Sequence, residues 1–245
     1  MAVTFTRRVV GRVSRQLGRP ELLGAFYADA RSEQNESIGI AAALAATLPS
    51  DGCYIDVGSN RGQVLSEAVR IAPRGRHVAF EPIPALAGEI AREFPAVDIR
   101  RKALGARPEQ TRFCHFTRLD GWSGLQRNPA ISDEQGAPEY IDVEVSTLDI
   151  ELAGVAPAVV KIDVEGAELA VLQGGRELLA RARPLVIFEH VAEAGAIYGY
   201  SSGELWELLH ESGYRVLSAT GGGPFERDAF VAAGGVVNWL ATPER

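Results

Sequence analysis

From Asp51 onward, short apolar runs alternate with segments whose apolar residues recur every three to four positions. Runs of four to six apolar residues bounded by Gly, Pro, Asp or Arg suit buried strands, and the 3.6-residue recurrence suits helices packed on one face. The pattern predicts strands at Tyr54–Val57, His77–Phe80, Val97–Arg101, Val159–Ile162, Leu185–Phe188, Tyr214–Ala219 and Phe230–Ala233. It predicts helices at Gln63–Ile71, Ala85–Phe94, from about Ala167 to Leu179, and near Glu204–Ser212. This alternation argues an α/β domain with a mostly parallel sheet and helices on both faces. Residues 1–50 read as an N-terminal helical extension that ends in the alanine-rich Ile38–Leu48 run; residues 51–245 read as the main domain.

One stretch breaks the alternation. Arg107–Glu151 carries Gly121, Gly124, Pro129, Gly136 and Pro138, with an alternating run at Ile141–Val145. An insertion of this composition suits a lid or binding loop, a surface hairpin or plain disorder. Trp122 within it reads as a packing anchor.

Composition narrows the setting. No apolar run reaches the roughly 20 residues of a membrane span. The two cysteines, Cys53 and Cys114, have no metal or redox spacing, and with no secretory signal in the sequence this suits a cytoplasmic protein. The net charge of −7 disfavours nucleic acid as partner. Arg7, Arg8, Arg12, Arg15 and Arg19 are the local exception, and Phe5, Val9, Val13 and Leu17 among them fall at helical spacing. They read as a helix with a solvated arginine face, or as a helix touching a membrane surface.

The chemistry gathers at strand ends, where open parallel sheets bind ligands. Asp56, Glu81, Asp163 and Glu189-His190 each close an apolar run. After Asp56 the chain reads Gly58-Ser59-Asn60-Arg61-Gly62, a tight turn that brings bare backbone and helix-start N–H groups to a ligand. No Lys follows, as a triphosphate loop requires, and the Gly-x-Gly-x-x-Gly of dinucleotide sites is absent. Asp56 sits badly beside a pyrophosphate but suits an ammonium group. Glu81, 25 residues beyond Asp56, suits a ribose hydroxyl. S-adenosylmethionine carries both, along with a sulfonium.

Asp56-Val-Gly-Ser-Asn-Arg-Gly62, Phe80-Glu81-Pro82, Lys102-Ala-Leu-Gly105, Ser146-Thr-Leu-Asp149 and Val160-Lys-Ile-Asp-Val-Glu-Gly-Ala-Glu168 occur in one order, extended by Val171-Leu-Gln-Gly-Gly175. Over about residues 50–190 this set resembles the FkbM family of S-adenosylmethionine-dependent methyltransferases. The resemblance implies a class I methyltransferase fold, Rossmann-like, with a seven-stranded sheet and an antiparallel final hairpin. It implies O-methylation of a small hydroxylated molecule such as a sugar or natural-product intermediate. It places Asp56, Gly58, Ser59, Asn60 and Gly62 along the methionine end, Glu81 at the ribose and Ala103 near the adenine. The Asn/Asp-Pro-Pro-aromatic signature of amino-methylating enzymes is missing, which favours an oxygen nucleophile.

A hydroxyl acceptor must lose a proton, and Asp163, Glu165, Glu168, Glu189 and His190 are the candidates to take it. His190 leads because imidazole titrates near neutrality. Glu165 and Glu168 flank Gly166 at a helix start, which gives Glu168 a stabilising role there. Asp163, Glu189 and His190 also form a candidate set for a divalent metal, Mg²⁺ or, with the imidazole, Mn²⁺. Alternative readings are an RNA methyltransferase, a non-catalytic adenosyl-ligand binding module and an NAD-dependent oxidoreductase.

Overall fold

The structure is a computed structural model and describes residues 36–244. The arginine-bearing segment Arg7–Arg19 therefore lies outside the described residues.

Seven strands form the central sheet: β1 (Tyr54–Val57), β2 (Val78–Phe80), β3 (Asp98–Arg100), β7 (Val159–Ile162), β8 (Leu185–Glu189), β9 (Tyr214–Ser218) and β10 (Asn238–Pro243). Their order is β3-β2-β1-β7-β8-β10-β9, parallel from β3 to β8, with β10 antiparallel to both neighbours. The order reverses between β1 and β7, so a crevice opens beyond their carboxyl ends.

The central strands are buried along their length, and alternate residues serve opposite faces. Ile55, Val57, Val160, Ile162, Val186 and Phe188 pack on one face with Leu172, Leu179 and Leu205 from helices Glu168–Gln173, Arg176–Ala182 and Ser202–Glu211. Tyr54, Val159, Leu185 and Ile187 pack on the other with Leu65 of helix Gln63–Ile71 and Leu44 of a helix over 36–47. Glu36 fastens that last helix to β10 by accepting from the Val237 and Asn238 backbone N–H groups at 3.2 and 3.1 Å. No helix among the described residues is long and apolar enough to cross a membrane.

Two elements differ from the sequence pattern. Phe230 belongs to a short helix, Arg227–Val231, and the closing strand is β10. A four-residue apolar run fits a helical turn or a strand equally well, and tertiary packing decides. Here Phe230 stacks on His190 and meets Trp239 edge to face, while Trp239 and Ala241 give β10 its buried side. The single helix expected from Ala167 to Leu179 is two, broken at Gly174-Gly175. A Cβ on Gly174 would stand 2.1 Å from the Gly105 carbonyl oxygen, so this backbone contact demands glycine.

The insertion is an ordered second sheet. β5 (Glu109–His115) pairs antiparallel with β6 (Glu139–Ser146), and β4 (Ala103–Leu104) pairs parallel with β6. Phe113, Val143 and Val145 pack against Ile83 and Leu86 of the main domain. Between β5 and β6 the chain makes an excursion over 116–138, pinned by the Cys114 and Gly124 backbones, which exchange hydrogen bonds. It carries a 3₁₀ turn, Asp120–Trp122, toward the crevice.

Candidate active site

The turn after β1 is built on left-handed backbone. Gly58, Asn60 and Gly62 have φ of 79°, 47° and 71°. A Cβ on Gly58 would stand 1.8 Å from the Asp163 carbonyl oxygen, so the turns after β1 and β7 touch through bare backbone. The same conformation aims the Asn60 N–H at the Glu81 carboxyl, 2.8 Å away. Ile83 N–H donates to the other Glu81 oxygen at 2.9 Å. Burial nevertheless pushes Glu81 up to about 7.

Around this turn lies a cavity of about 570 Å³, bordered by Gly58, Asn60, Glu81, Ala103, Trp122 and Asp163 among others. Four of the residues expected to hold the cofactor are therefore gathered there: Gly58, Asn60, Glu81 and Ala103. Gly62 caps the helix behind the turn, and Ser59 is buried beneath it with its hydroxyl on the Asp56 carbonyl.

Asp56 does not border the cavity. It is register partner to Lys161 on β7, and its carboxyl lies 3.6 Å from the Lys161 ammonium. Burial raises Asp56 to about 6 against the pull of that cation. Lys161 also donates to Asp163 at 3.0 Å. Two carboxylates hold Lys161 well above its ordinary range although burial opposes its charge. The positive partner of Asp56 is thus part of the protein.

A second cavity, of about 380 Å³, adjoins the first and shares Gly121, Trp122 and Glu165 with it. Glu165 sits in left-handed backbone, φ 57°, on the turn after β7. A non-glycine residue there costs of order 1 kcal/mol and is commonest at functional sites. Burial, Asp163 and Glu168 push Glu165 up to about 8. Glu189 rises to about 9, through burial first and then the charges of Asp163 and Glu165.

Glu168 behaves as a fastener. One oxygen accepts from the Val164 and Gly166 N–H groups at 3.1 and 3.2 Å, and the other accepts from the Tyr200 hydroxyl at 3.1 Å. His190, the leading sequence candidate for the base, is held at about 4 by burial. Its Nε2 lies 2.9 Å from the Ser202 hydroxyl, and its ring stacks with Tyr200 and Phe230. A base of that strength is poorly matched to neutral pH.

The metal expectation does not fit this donor set. Asp163 and Glu189 are taken up by a hydrogen bond between their carboxyl groups, Lys161 also donates to Asp163, and the Nε2 of His190 is taken by Ser202. Among the described residues no group of three His, Cys, Asp or Glu side chains is placed to hold a metal ion.

Two neighbours carry no signal in the sequence. Trp122, expected as a packing anchor, is 46% exposed and stands at the wall between the cavities. Arg61, inside the turn, binds Asp120 of the excursion at 2.7 Å and Glu89 at 3.1 Å. Asp120 in turn meets His115 at 3.1 Å. The insertion is tied to the turn it covers.

The sequence model of the methyltransferase FkbM domain matches residues 56–216. The chain is 27% identical over 207 residues to the AMB antimetabolite synthetase AmbE of Pseudomonas aeruginosa, which covers 69% of this chain and 10% of that protein. A crystal structure of methyltransferase FkbM from Methylobacillus flagellatus matches its fold with a TM-score of 0.50 at 14% identity, over 80% of this chain and 44% of that one. The chain thus spans a tenth of the curated relative and under half of the solved structure.

Proposed function

This chain belongs to the FkbM family of methyltransferases, and on that premise we propose that it transfers a methyl group from S-adenosylmethionine to a hydroxyl of a small molecule. The observation that carries this reading is Glu165, a carboxyl raised toward neutrality at the seam between the two cavities.

The cofactor fits the first cavity by its chemistry. A carboxylate offers about four acceptor positions, and two backbone N–H groups occupy two at Glu81, leaving two for a ribose diol. Ala103 supplies an apolar wall for the adenine. Asp163, which borders the cavity where Asp56 does not, is the carboxyl assigned to the methionine ammonium, and it would share its charge with Lys161, which donates to it at 3.0 Å. When bound, the cofactor supplies an activated methyl carbon on a positive sulfur.

The protein's own task is alignment and proton removal. Glu165 takes the proton of the attacking hydroxyl as the oxygen bonds the methyl carbon and the carbon–sulfur bond breaks. A base that titrates near 8 matches this role far better than His190 near 4. Trp122 and the 116–138 excursion help keep water from the seam.

An RNA acceptor fits poorly, since the second cavity has four glutamates and neither Lys nor Arg along its wall. Calorimetric titration tests the cofactor assignment: S-adenosylhomocysteine binds and NAD does not. A screen of small hydroxylated acceptors for S-adenosylhomocysteine release tests the reaction. Cofactor binding with no turnover on any acceptor would favour a binding module instead.

A further inference from the structure

We propose that Tyr198 is a positioning residue for methyl transfer: it clamps Glu165 between the turn after β7 and the excursion over 116–138, and keeps water from that carboxyl. The proposal rests on the methyl-transfer reading with Glu165 as its base, and it adds a residue that borders neither cavity.

Left-handed backbone at a residue such as Glu165 persists only where the surroundings over-determine it. Part of that constraint comes through Gly166, whose N–H donates to Glu168 at 3.2 Å. Gly166 has φ of 105°, and a Cβ there would stand 2.6 Å from the Ala194 carbonyl oxygen and 2.9 Å from Cδ2 of Tyr198. The turn therefore lies with bare backbone on helix Ala192–Ile197 and on the tyrosine that follows it.

The far end of the same side chain meets the excursion. The Tyr198 hydroxyl oxygen accepts from the Gln126 N–H at 3.1 Å. A Cβ on Gly124 would stand 2.8 Å from that oxygen and 3.7 Å from the Cβ of Glu165. Glycine at 124 thus lets the base, its cover and the tyrosine close on one another. Gly124 also exchanges backbone hydrogen bonds with Cys114, so the hydroxyl grips the excursion beside a point already fixed to β5.

Core packing alone would ask less of this residue. Tyr198 is only partly buried against the core, and filling that space needs neither a hydroxyl nor a ring edge on Gly166. Burial first of all raises the phenol to about 12, so it stays neutral and acts on Glu165 by excluding water, not by charge. Asp163, Glu168 and Glu189 face Glu165 with like charge and Lys161 opposes them, while His190 and Glu193 share its cavity wall. Substituting Tyr198 leaves all of these in place. A change in the titration of Glu165 would then report the loss of its cover.

The experiment uses the full chain with isotope-labelled glutamate carboxyls and follows the Glu165 resonance against pH, identified by its loss in Glu165→Gln. In the unaltered chain the midpoint is expected near 8, with burial as its first cause. Tyr198→Phe keeps the ring and should leave the midpoint there, whereas Tyr198→Ala should bring it to about 7 or below. Tyr198→Leu keeps apolar bulk for the core, stands in where the alanine variant does not fold, and should lower the midpoint about half as far. Tyr198→Phe does lose the tether to Gln126, so hydrogen exchange at the Gly124 amide should quicken about threefold to tenfold. A midpoint that neither Tyr198→Ala nor Tyr198→Leu moves, or Gly124 exchange that Tyr198→Phe leaves unchanged, overturns the role of Tyr198 alone. A midpoint in the ordinary carboxylate range in the unaltered chain would sink the base assignment, and failure of S-adenosylhomocysteine to bind in calorimetry would sink the methyl-transfer reading; either takes this proposal with it.

Discussion

The two cavities meet at Trp122 and Glu165, yet they are built on opposite plans. The first rests on backbone: left-handed turns, two N–H groups and one carboxyl whose oxygens both have partners inside the protein. The second rests on side chains gathered from separate stretches, with carboxyls that face one another and an imidazole nitrogen that lacks a partner. A backbone-built site is organised before its ligand arrives and recognises shape and hydroxyls. A site of clustered, buried carboxyls holds protons near neutral pH and is suited to moving one from an acceptor.

Glu165, on the seam, should give the largest effect. Glu165→Gln keeps the shape and removes the base, so kcat is expected to fall about 10²- to 10⁴-fold while S-adenosylhomocysteine affinity changes little. In the unaltered enzyme kcat/KM should rise with pH through about 8, because the carboxyl must lose its proton to act. The cofactor's positive charges draw that midpoint downward. A variant that retained the same rising limb would place the base elsewhere, and the contrast between the cavities would lose its chemical side.

Lys161 joins Asp56 to Asp163, whose turn reaches the seam, and tests the support behind the site. Lys161→Met keeps most of the stem and leaves buried Asp56 without its cation, a change that costs about 3–5 kcal/mol when the charge persists. Asp56 already titrates near 6, so taking up a proton should hold the net loss to about 2–3 kcal/mol. Thermal unfolding should move down by roughly 5–10 °C at pH 8 and by less at pH 5, where a neutral Asp56 needs no counter-ion. Adding Asp56→Asn should recover most of the loss.

Glu81 probes the first cavity alone. Glu81→Ala removes the proposed ribose acceptor and strands the Asn60 and Ile83 N–H groups. About a hundredfold weaker S-adenosylhomocysteine binding is expected, since each stranded group costs of order 1 kcal/mol or more. The acceptor KM at saturating cofactor should be unchanged. A rise in that KM as well would show that the two sites are one.

The same difference of plan explains what the sequence revealed. Asp56–Gly62 and Glu81 are legible because a strand end and the turn after it are contiguous, and parallel-sheet topology places strand ends side by side. The partner of Asp56 is not, because Lys161 becomes its register neighbour only once β1 pairs with β7, across about a hundred residues of chain. Glu165 is visible as an acid near a helix start, but its place between cavities depends on the 116–138 excursion folding over the crevice. Trp122 reads as core by its size, and it stays half exposed because the tethers through Asp120 hold its turn above a cavity. The hairpin reading of Ile141–Val145 needed only alternation, whereas Phe230 needed its aromatic neighbours.

Arg61→Ala should have the smallest effect and gives the sharpest test of whether the cavities are coupled. The Arg61 side chain is 56% exposed, and pairs of this kind contribute about 0–1 kcal/mol, so unfolding should shift by no more than about 3 °C. The pair's geometric part is larger than its stability, because it anchors Asp120 and with it the turn bearing Trp122. Freed of that anchor, the shared wall should loosen, raising the acceptor KM about threefold to tenfold while S-adenosylhomocysteine affinity stays within about twofold. Asp120→Asn, which leaves Arg61 and its contact with Glu89 in place, should reproduce the rise. An unchanged KM in both variants would show that the excursion is held by its own packing of Phe116 and Ile131, and that the turn and its cover act independently.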